Sequence, residues 1–278
     1  MKATEILGVD TIRFVEPAFS SLTDSRFNAV LAETDGDEGR LLLDEHEEPI
    51  ALAFHGSDGW TAGSFLCRNP SVALIERFEN VNGEIFQEDR AVWAGAVREI
   101  FSNALVSEVP PSIDDLNPKR HGILKNLISS VWGKSQGEQC IDCCCGSGVG
   151  SAVLRDLGFS PLSYDNDASL LARGLTEERL RPDETMWIDA TIASRYIDPV
   201  PKGVAIMAGE FTSFNQDMWE RIVAELCSIT HETLITVGTE KEAFLIREWA
   251  NEMEREMEIT ENPVDPIYDL WVCHVRPQ

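Results

Sequence analysis

Between Cys140 and Asp167 the chain reads CIDCCCGSGVGSAVLRDLGFSPLSYDND, and the residue types there set the chemistry open to it. Gly146, Ser147 and Gly148 can turn the backbone sharply and bring it against a ligand that a Cβ would push away, while the amides of a following helix point at the same spot. Asp165 lies about 20 residues beyond the first glycine, where a nucleotide-binding βαβ unit places the acid that accepts hydrogen bonds from ribose hydroxyls. Asp142 stands four positions before the turn, so it would repel a pyrophosphate and favour a cationic or amino-bearing ligand. The glycine pattern also departs from the dinucleotide fingerprint: its third glycine falls one position early, at Gly150, and Ser151 takes the slot. An NAD-type reading rests on the bare glycine pattern alone.

Positioning these residues requires a strand, a turn, a helix and a second strand. Residues 140–145 are small and apolar apart from Asp142, the composition of a strand buried on both faces. The spacing of Val149, Ala152 and Val153 predicts a helix over 149–157, stopped by Gly158, and 161–164 reads as the next strand. The alternation then continues with a helix over 168–180 and a strand over 185–188 that ends at Asp189-Ala190. A strand over 203–208 ends at Gly209-Glu210-Phe211-Thr212, followed by a helix over 215–227, a strand over 233–237 and a helix over 240–253. Strands over 257–260 and 269–275 follow with no helix between them, so they must pair as a hairpin or lie as close neighbours. Upstream, Asn117-Pro118 signals the start of a helix over 123–132 that leads into the first strand and carries Lys119, Arg120 and His121 toward the same region.

These residues resemble motif I of the class I S-adenosylmethionine-dependent methyltransferases, commonly hydrophobic-Asp-x-Gly-x-Gly-x-Gly, and the cysteine-rich turn is similar to that of uncharacterised archaeal members. The resemblance spans roughly residues 117–276. It implies a seven-stranded, mostly parallel, doubly wound α/β sheet with an antiparallel last strand. It also implies S-adenosylmethionine as cofactor, with Asp142 near its methionine end and Gly146, Ser147 and Gly148 lining it. Asp165 and Asn166 would lie at the ribose, Asp189 would accept from the adenine amino group, and Ala190 would offer its backbone amide to the ring. Cys144 replaces the family's first glycine, a departure that distorts the loop unless the small thiol fits. A second departure is Gly209-Glu210-Phe211-Thr212, which cannot reproduce the Asn/Asp-Pro-Pro-Tyr/Phe turn of enzymes that methylate base or glutamine nitrogens. Glu210 becomes the candidate for cofactor contact or general base, since methyl transfer depends mainly on positioning and needs a base only where the acceptor must lose a proton.

Composition bounds the rest. The 278 residues suffice for one large domain or two unequal ones, and 43% hydrophobic with 26% charged residues is ordinary for a globular protein. The 23 Lys and Arg stand against 48 Asp and Glu, a formal net charge of -25, which works against a nucleic-acid substrate. An odd number of cysteines, seven, with no signal peptide and no long apolar run, predicts a reduced cytoplasmic protein with no membrane association. Alternating side-chain directions keep Cys143, Cys144 and Cys145 from converging on one ion, so no metal site is expected.

Residues 1–115 read as a smaller N-terminal α+β domain of unassigned role and 116–278 as the methyltransferase-like domain, with Pro110-Pro111 breaking the chain near the boundary. In the first part, residues 18–32 read as a helix, 40–43 and 50–54 as short strands, 57–69 as a loop, and 71–78 and 89–106 as helices. The acidic run through Asp35, Asp37 and Glu38 reads as solvated surface. The function expected is methyl transfer to a small molecule or a protein side chain, with part of the acceptor pocket supplied by the N-terminal domain. The alternative is a non-catalytic binding or protein-interaction module that keeps the fold.

Overall fold

Strand-forming segments fall into two groups along the chain, and each group builds its own sheet. The computed structural model describes residues 1–81, 83–113 and 117–277. The chain divides into two compact units, Met1–Ala104 and Leu105–Gln278. The boundary expected at residues 115 and 116 lies outside the described residues.

The first unit contains α1 (Ala3–Ile6), β1 (Arg13–Phe14), α2 (Arg26–Ala32), β2 (Glu38–Leu43), β3 (Pro49–Gly56), β4 (Gly59–Ser64), α3 (Val72–Asn80) and β5 (Glu84–Gln87), and α4 (Arg90–Glu108) begins in it. Its five-stranded sheet has the order β1-β4-β3-β2-β5. Two expectations fail here. The stretch predicted as a loop contains β4, because Ser57-Asp58 forms a two-residue hairpin turn that pairs Gly56 with Gly59 and His55 with Trp60. Thr61, Ala62 and Ser64 look like loop residues in composition, yet they are buried strand positions facing β3. The helix expected over 18–32 is also broken: a 3-10 turn over Phe19–Thr23 ends at Asp24, which is extended and accepts the Arg26 N–H at 2.9 Å. Leu31, Leu41, Leu52, Phe54 and Leu74 form the core of this unit. A buried ion pair, Arg68 with Glu16, is completed by Arg68 bonds to Asn28 Oδ1 and the Leu22 carbonyl.

The second unit contains α5 (Arg120–Trp132), β6 (Gln139–Cys143), α6 (Val149–Asp156), β7 (Ser160–Asp165), α7 (Ala168–Thr176), β8 (Thr185–Trp187), β9 (Val200–Ala205), α8 (Gln216–Ser228), β10 (Thr230–Val237), α9 (Glu240–Glu252), β11 (Met257–Glu261) and β12 (Trp271–Val275). These strands form one seven-stranded sheet in the order β11-β12-β10-β9-β6-β7-β8. β6 pairs in parallel with both β7 and β9, and β12 inserts antiparallel between β10 and β11. The chain therefore runs outward through β6, β7 and β8 and then returns to the other side of β6 as β9. A crevice opens at such a reversal, beyond the carboxyl ends of the strands. Leu124 and Ile128 of α5 pack with Val153 and Leu154 of α6 on Cys140, Val204 and Leu234 of the sheet.

The expected elements of this unit are all present, with shifted ends. β6 stops at Cys143, two residues short of the predicted strand, because Cys144 turns left-handed (φ 53°). Helix α7 stops at Thr176, four residues early, where the left-handed Glu178 (φ 57°) lets the amides of Arg179 and Leu180 close on the Gly174 carbonyl. β9 begins at Val200 and ends at Ala205, which leaves residues 206–215 as a loop. No helix among the described residues is long and apolar enough to cross a membrane.

Candidate active site

Asp142 is the floor of the crevice. β6 carries it inward until it is only 1% exposed, and the first turn of α6 closes over it. Ser151 donates its hydroxyl to Asp142 Oδ2 at 2.5 Å and meets the Ser163 hydroxyl at 2.7 Å. A Cβ at Gly150 would stand 2.8 Å from both carboxylate oxygens, so the early glycine and the serine after it are both shaped by Asp142. Burial pushes this carboxyl up to about 6, with the Ser151 hydrogen bonds pulling the other way.

The turn above it alternates handedness. Cys144, Gly146 and Gly148 have φ of 53°, 53° and 81°. The two glycines serve different ends. At Gly146 an added Cβ would meet nothing within 4 Å, so that backbone faces open space. At Gly148 it would stand 2.5 Å from Leu180 Cγ, so that glycine serves close packing. Cys144 holds a glycine conformation at a cost of about 1 to 2 kcal/mol. Its sulfur lies 3.8 Å from that of Cys143. The Cys143 thiol, and then burial, push the Cys144 thiol well above its ordinary range, and burial does the same to Cys145. Neither is a thiolate nucleophile at neutral pH.

The acids downstream are occupied with their own backbone. Asp165, at the end of β7 and 8% exposed, accepts the Gly146 N–H at Oδ2 and the Asp167 N–H at Oδ1, each at 2.8 Å. It thus ties β7 to the glycine turn. Burial raises its carboxyl and these amides oppose the rise. Asp167 caps α7 through the amides of Ser169 and Leu170. Asn166 is exposed, and its carbonyl accepts the Trp187 indole N–H at 3.1 Å. Asp189 is exposed and takes the Thr191 N–H and hydroxyl on Oδ1, and the neighbouring Ala190 is buried.

A cavity of about 270 Å³ opens where these pieces meet. Asp142, Cys144, Gly146 and Ser147 line it, joined by Arg120, Leu124, Leu170, Met207 and Tyr268 among others. Gly148, Asp165, Asn166, Asp189 and Ala190 are not in its wall. Glu210 is exposed and lines a second hollow of about 330 Å³, which shares Met207 and Tyr268 with the first.

The strand order, seven mostly parallel strands with β12 antiparallel between β10 and β11, is the one that the resemblance to the class I methyltransferases implies. The sequence matches no protein-family model and no curated protein. Among solved structures, the chain is similar to a magnesium protoporphyrin IX methyltransferase from Synechocystis PCC 6803 with bound S-adenosylmethionine, at 12% identity and TM-score 0.46, over 66% of this chain and 96% of that one. It is similar to a ribosomal protein L11 methylase from Lactobacillus delbrueckii subsp. bulgaricus at 11% identity and TM-score 0.44, over 59% and 81% of the two chains. It is also similar to an rRNA methylase from Streptococcus thermophilus at 12% identity and TM-score 0.40, over 59% and 99%. Likenesses this distant select no substrate, and the fold rests on the strand order itself.

Two residues of the second unit stand out beside the cofactor candidates, one of them from the basic triplet that the sequence placed near the site. Arg120, at the start of α5 and 9% exposed, brings a guanidinium into the cavity wall. Its Nη1 lies 3.1 Å from Asp265 Oδ2 and 2.9 Å from Asp269 Oδ2, and Asp269 Oδ1 accepts the Thr236 hydroxyl at 2.6 Å. Its guanidinium also stands 5.2 Å from the centre of the Tyr268 ring. The signal for Arg120 was a basic triplet ahead of a helix in an acidic chain. Tyr268 had none, because it lies in the connection between β11 and β12. In the first unit, Asp37, Glu38 and His55 are the one trio among the described residues whose metal-ligating atoms lie within 4.8 Å of one another. They are exposed or half-buried, and exposed acidic groups of this kind are common without an ion.

Proposed function

We propose that the second unit binds S-adenosylmethionine in the cavity over the glycine turn and directs its methyl group to a small molecule or a protein side chain. The observation that carries this reading is the joint geometry of Gly146 and Asp142. The backbone at Gly146 is left-handed and open to the cavity, and a buried carboxyl stands beside it. The residues fit an amino-acid-bearing ligand, because Asp142 brings a carboxyl to the cavity wall for the amino group, and Arg120, although its Nη1 is held by Asp265 and Asp269, brings its guanidinium to the same wall for the carboxylate.

When bound, the cofactor supplies an electrophilic sulfonium methyl. The protein's own residues hold and orient. Asp142 would face the amino end and Arg120 the carboxylate end. Asp165, which already holds backbone amides, would use its remaining acceptor capacity for a ribose hydroxyl near Asn166. The Asp189 oxygen not used by Thr191, with the Ala190 amide, would serve the adenine. Glu210, in the adjoining hollow, would accept a proton from an acceptor that must lose one.

The net charge of -25 favours acceptors other than nucleic acid. Seven free cysteines, four of them in or beside β6, suit a reducing cytoplasm. Kinship with archaeal members rests on the cysteine-rich turn alone.

Calorimetric titration with S-adenosylhomocysteine, with NAD as the control ligand, tests the reading. Saturable binding of the first and none of the second is expected. Binding of neither would move the weight to a non-catalytic interaction module, and binding of NAD would overturn the cofactor assignment.

A further inference from the structure

The hollow beside the cofactor cavity is chemically one-sided. Its polar side chains are Glu210, Glu242, Thr239 and Tyr268, and no Lys, Arg or His is among the residues that line it. The charge of Glu242 is committed to the start of α9. Its Oε1 accepts the Phe211 N–H at 2.9 Å, and its Oε2 accepts the Thr239 N–H and hydroxyl at 3.0 and 2.7 Å. Glu210 is different: among the described residues its carboxylate has no hydrogen-bond or ion-pair partner. Its backbone is nevertheless held, because its carbonyl accepts the Asn215 Nδ2–H at 2.9 Å. The next residue, Phe211, sits with its ring 5.3 Å from that of Trp219 and 5.4 Å from that of Trp249. The remaining wall is apolar, and it includes Met207 and Ile267, which are 49% and 70% exposed.

We infer that this hollow is the acceptor site and that it takes a compound carrying a protonated amine on an apolar body. The inference deepens the methyltransferase reading and rests on it for why an acceptor comes to this place. Charge complementarity selects the amine. An anionic acceptor would bring its charge against Glu210 with no cation lining the hollow to offset the repulsion, whereas an ammonium group finds an uncommitted carboxylate there. The apolar body covers Met207 and Ile267, whose exposure otherwise leaves hydrocarbon in water. An alkyl amine also suits the loop: its ammonium proton would pass to Glu210, and the freed lone pair, already localised on nitrogen, would form the bond to the methyl carbon as the carbon–sulfur bond breaks and sulfur keeps the electron pair, with no carbonyl-rich turn needed to reshape the nitrogen.

The test is a titration of the full chain near neutral pH with 2-phenylethylamine and with 3-phenylpropionate, each with and without saturating S-adenosylhomocysteine. The wild type is compared with Glu210→Gln and with Glu33→Gln, a change at an exposed acid of the first unit. The amine is expected to bind about tenfold or more tightly than the acid, a difference of about 1.4 kcal/mol. Glu210→Gln should abolish that preference, and Glu33→Gln should preserve both the preference and the affinity for S-adenosylhomocysteine. The inference is overturned if the acid binds as well as the amine, or if Glu210→Gln keeps the preference. If S-adenosylhomocysteine does not bind, the cofactor reading fails separately, and the comparison of amine with acid is still decided on the protein without it.

Discussion

Asp142 and Cys144 are two residues apart, and the fold bears a cost at each, one in burial and one in backbone conformation. Cys144 is a side chain in a backbone conformation that favours glycine, and the fold tolerates it because the thiol is small and packs 3.8 Å from the sulfur of Cys143. Asp142 is a buried acid whose ionised form the fold disfavours. Its carboxyl is raised from 3.8 to about 6, so the folded protein keeps a proton that the unfolded chain has already released. The contribution of this group to stability is therefore greatest below about pH 4, falls as the pH rises toward 6, and stays low above that. Asp142→Asn removes the titration while leaving an oxygen for Ser151. Its stability relative to wild type should rise by roughly 2 to 3 kcal/mol between pH 4 and pH 7. Urea unfolding of both proteins at the two pH values reads the difference, and a pH-independent difference would show that Asp142 does not titrate in this range.

At the scale of elements, the site depends on ties between segments far apart in sequence. Arg120 fastens the start of α5 to the loop between β11 and β12, through Asp265 and Asp269. Replacing it leaves two buried carboxylates without their cation, so Arg120→Met should cost about 3 to 5 kcal/mol in thermal or urea unfolding. A loss under 1 kcal/mol would mean that the tie is not made in solution. This tie also marks the limit of what the sequence shows. The unit from β6 through the glycine turn and α6 to β7 was legible because apolar periodicity and glycine placement are local signals. The partnership of Arg120 with Asp265, 145 positions away, has no local signature. β4 stayed hidden for another reason: a buried strand made of Thr61, Ala62, Gly63 and Ser64 has the composition of a turn. The occupied state of Asp165 was equally illegible, since a carboxylate holding its own backbone and one awaiting a ligand look the same in sequence.

For the whole molecule, the pairing of β11 with β12 carried more information than any single motif. Two successive strands with no helix between them had to pair, and the observed insertion of β12 between β10 and β11 completes the methyltransferase strand order. The five-stranded sheet of Met1–Ala104 gave no comparable clue to its role, because its buried Glu16–Arg68 pair and apolar core speak of stability rather than chemistry. A crystal structure of the protein grown with S-adenosylhomocysteine tests whether the cavity over the glycine turn is the cofactor site. Ligand density is expected across Gly146, with the amino-acid end between Asp142 and Arg120 and the sulfur directed toward the hollow that holds Glu210. Density elsewhere on the molecule, or a reversed ligand with its adenine against Asp142, would contradict that assignment.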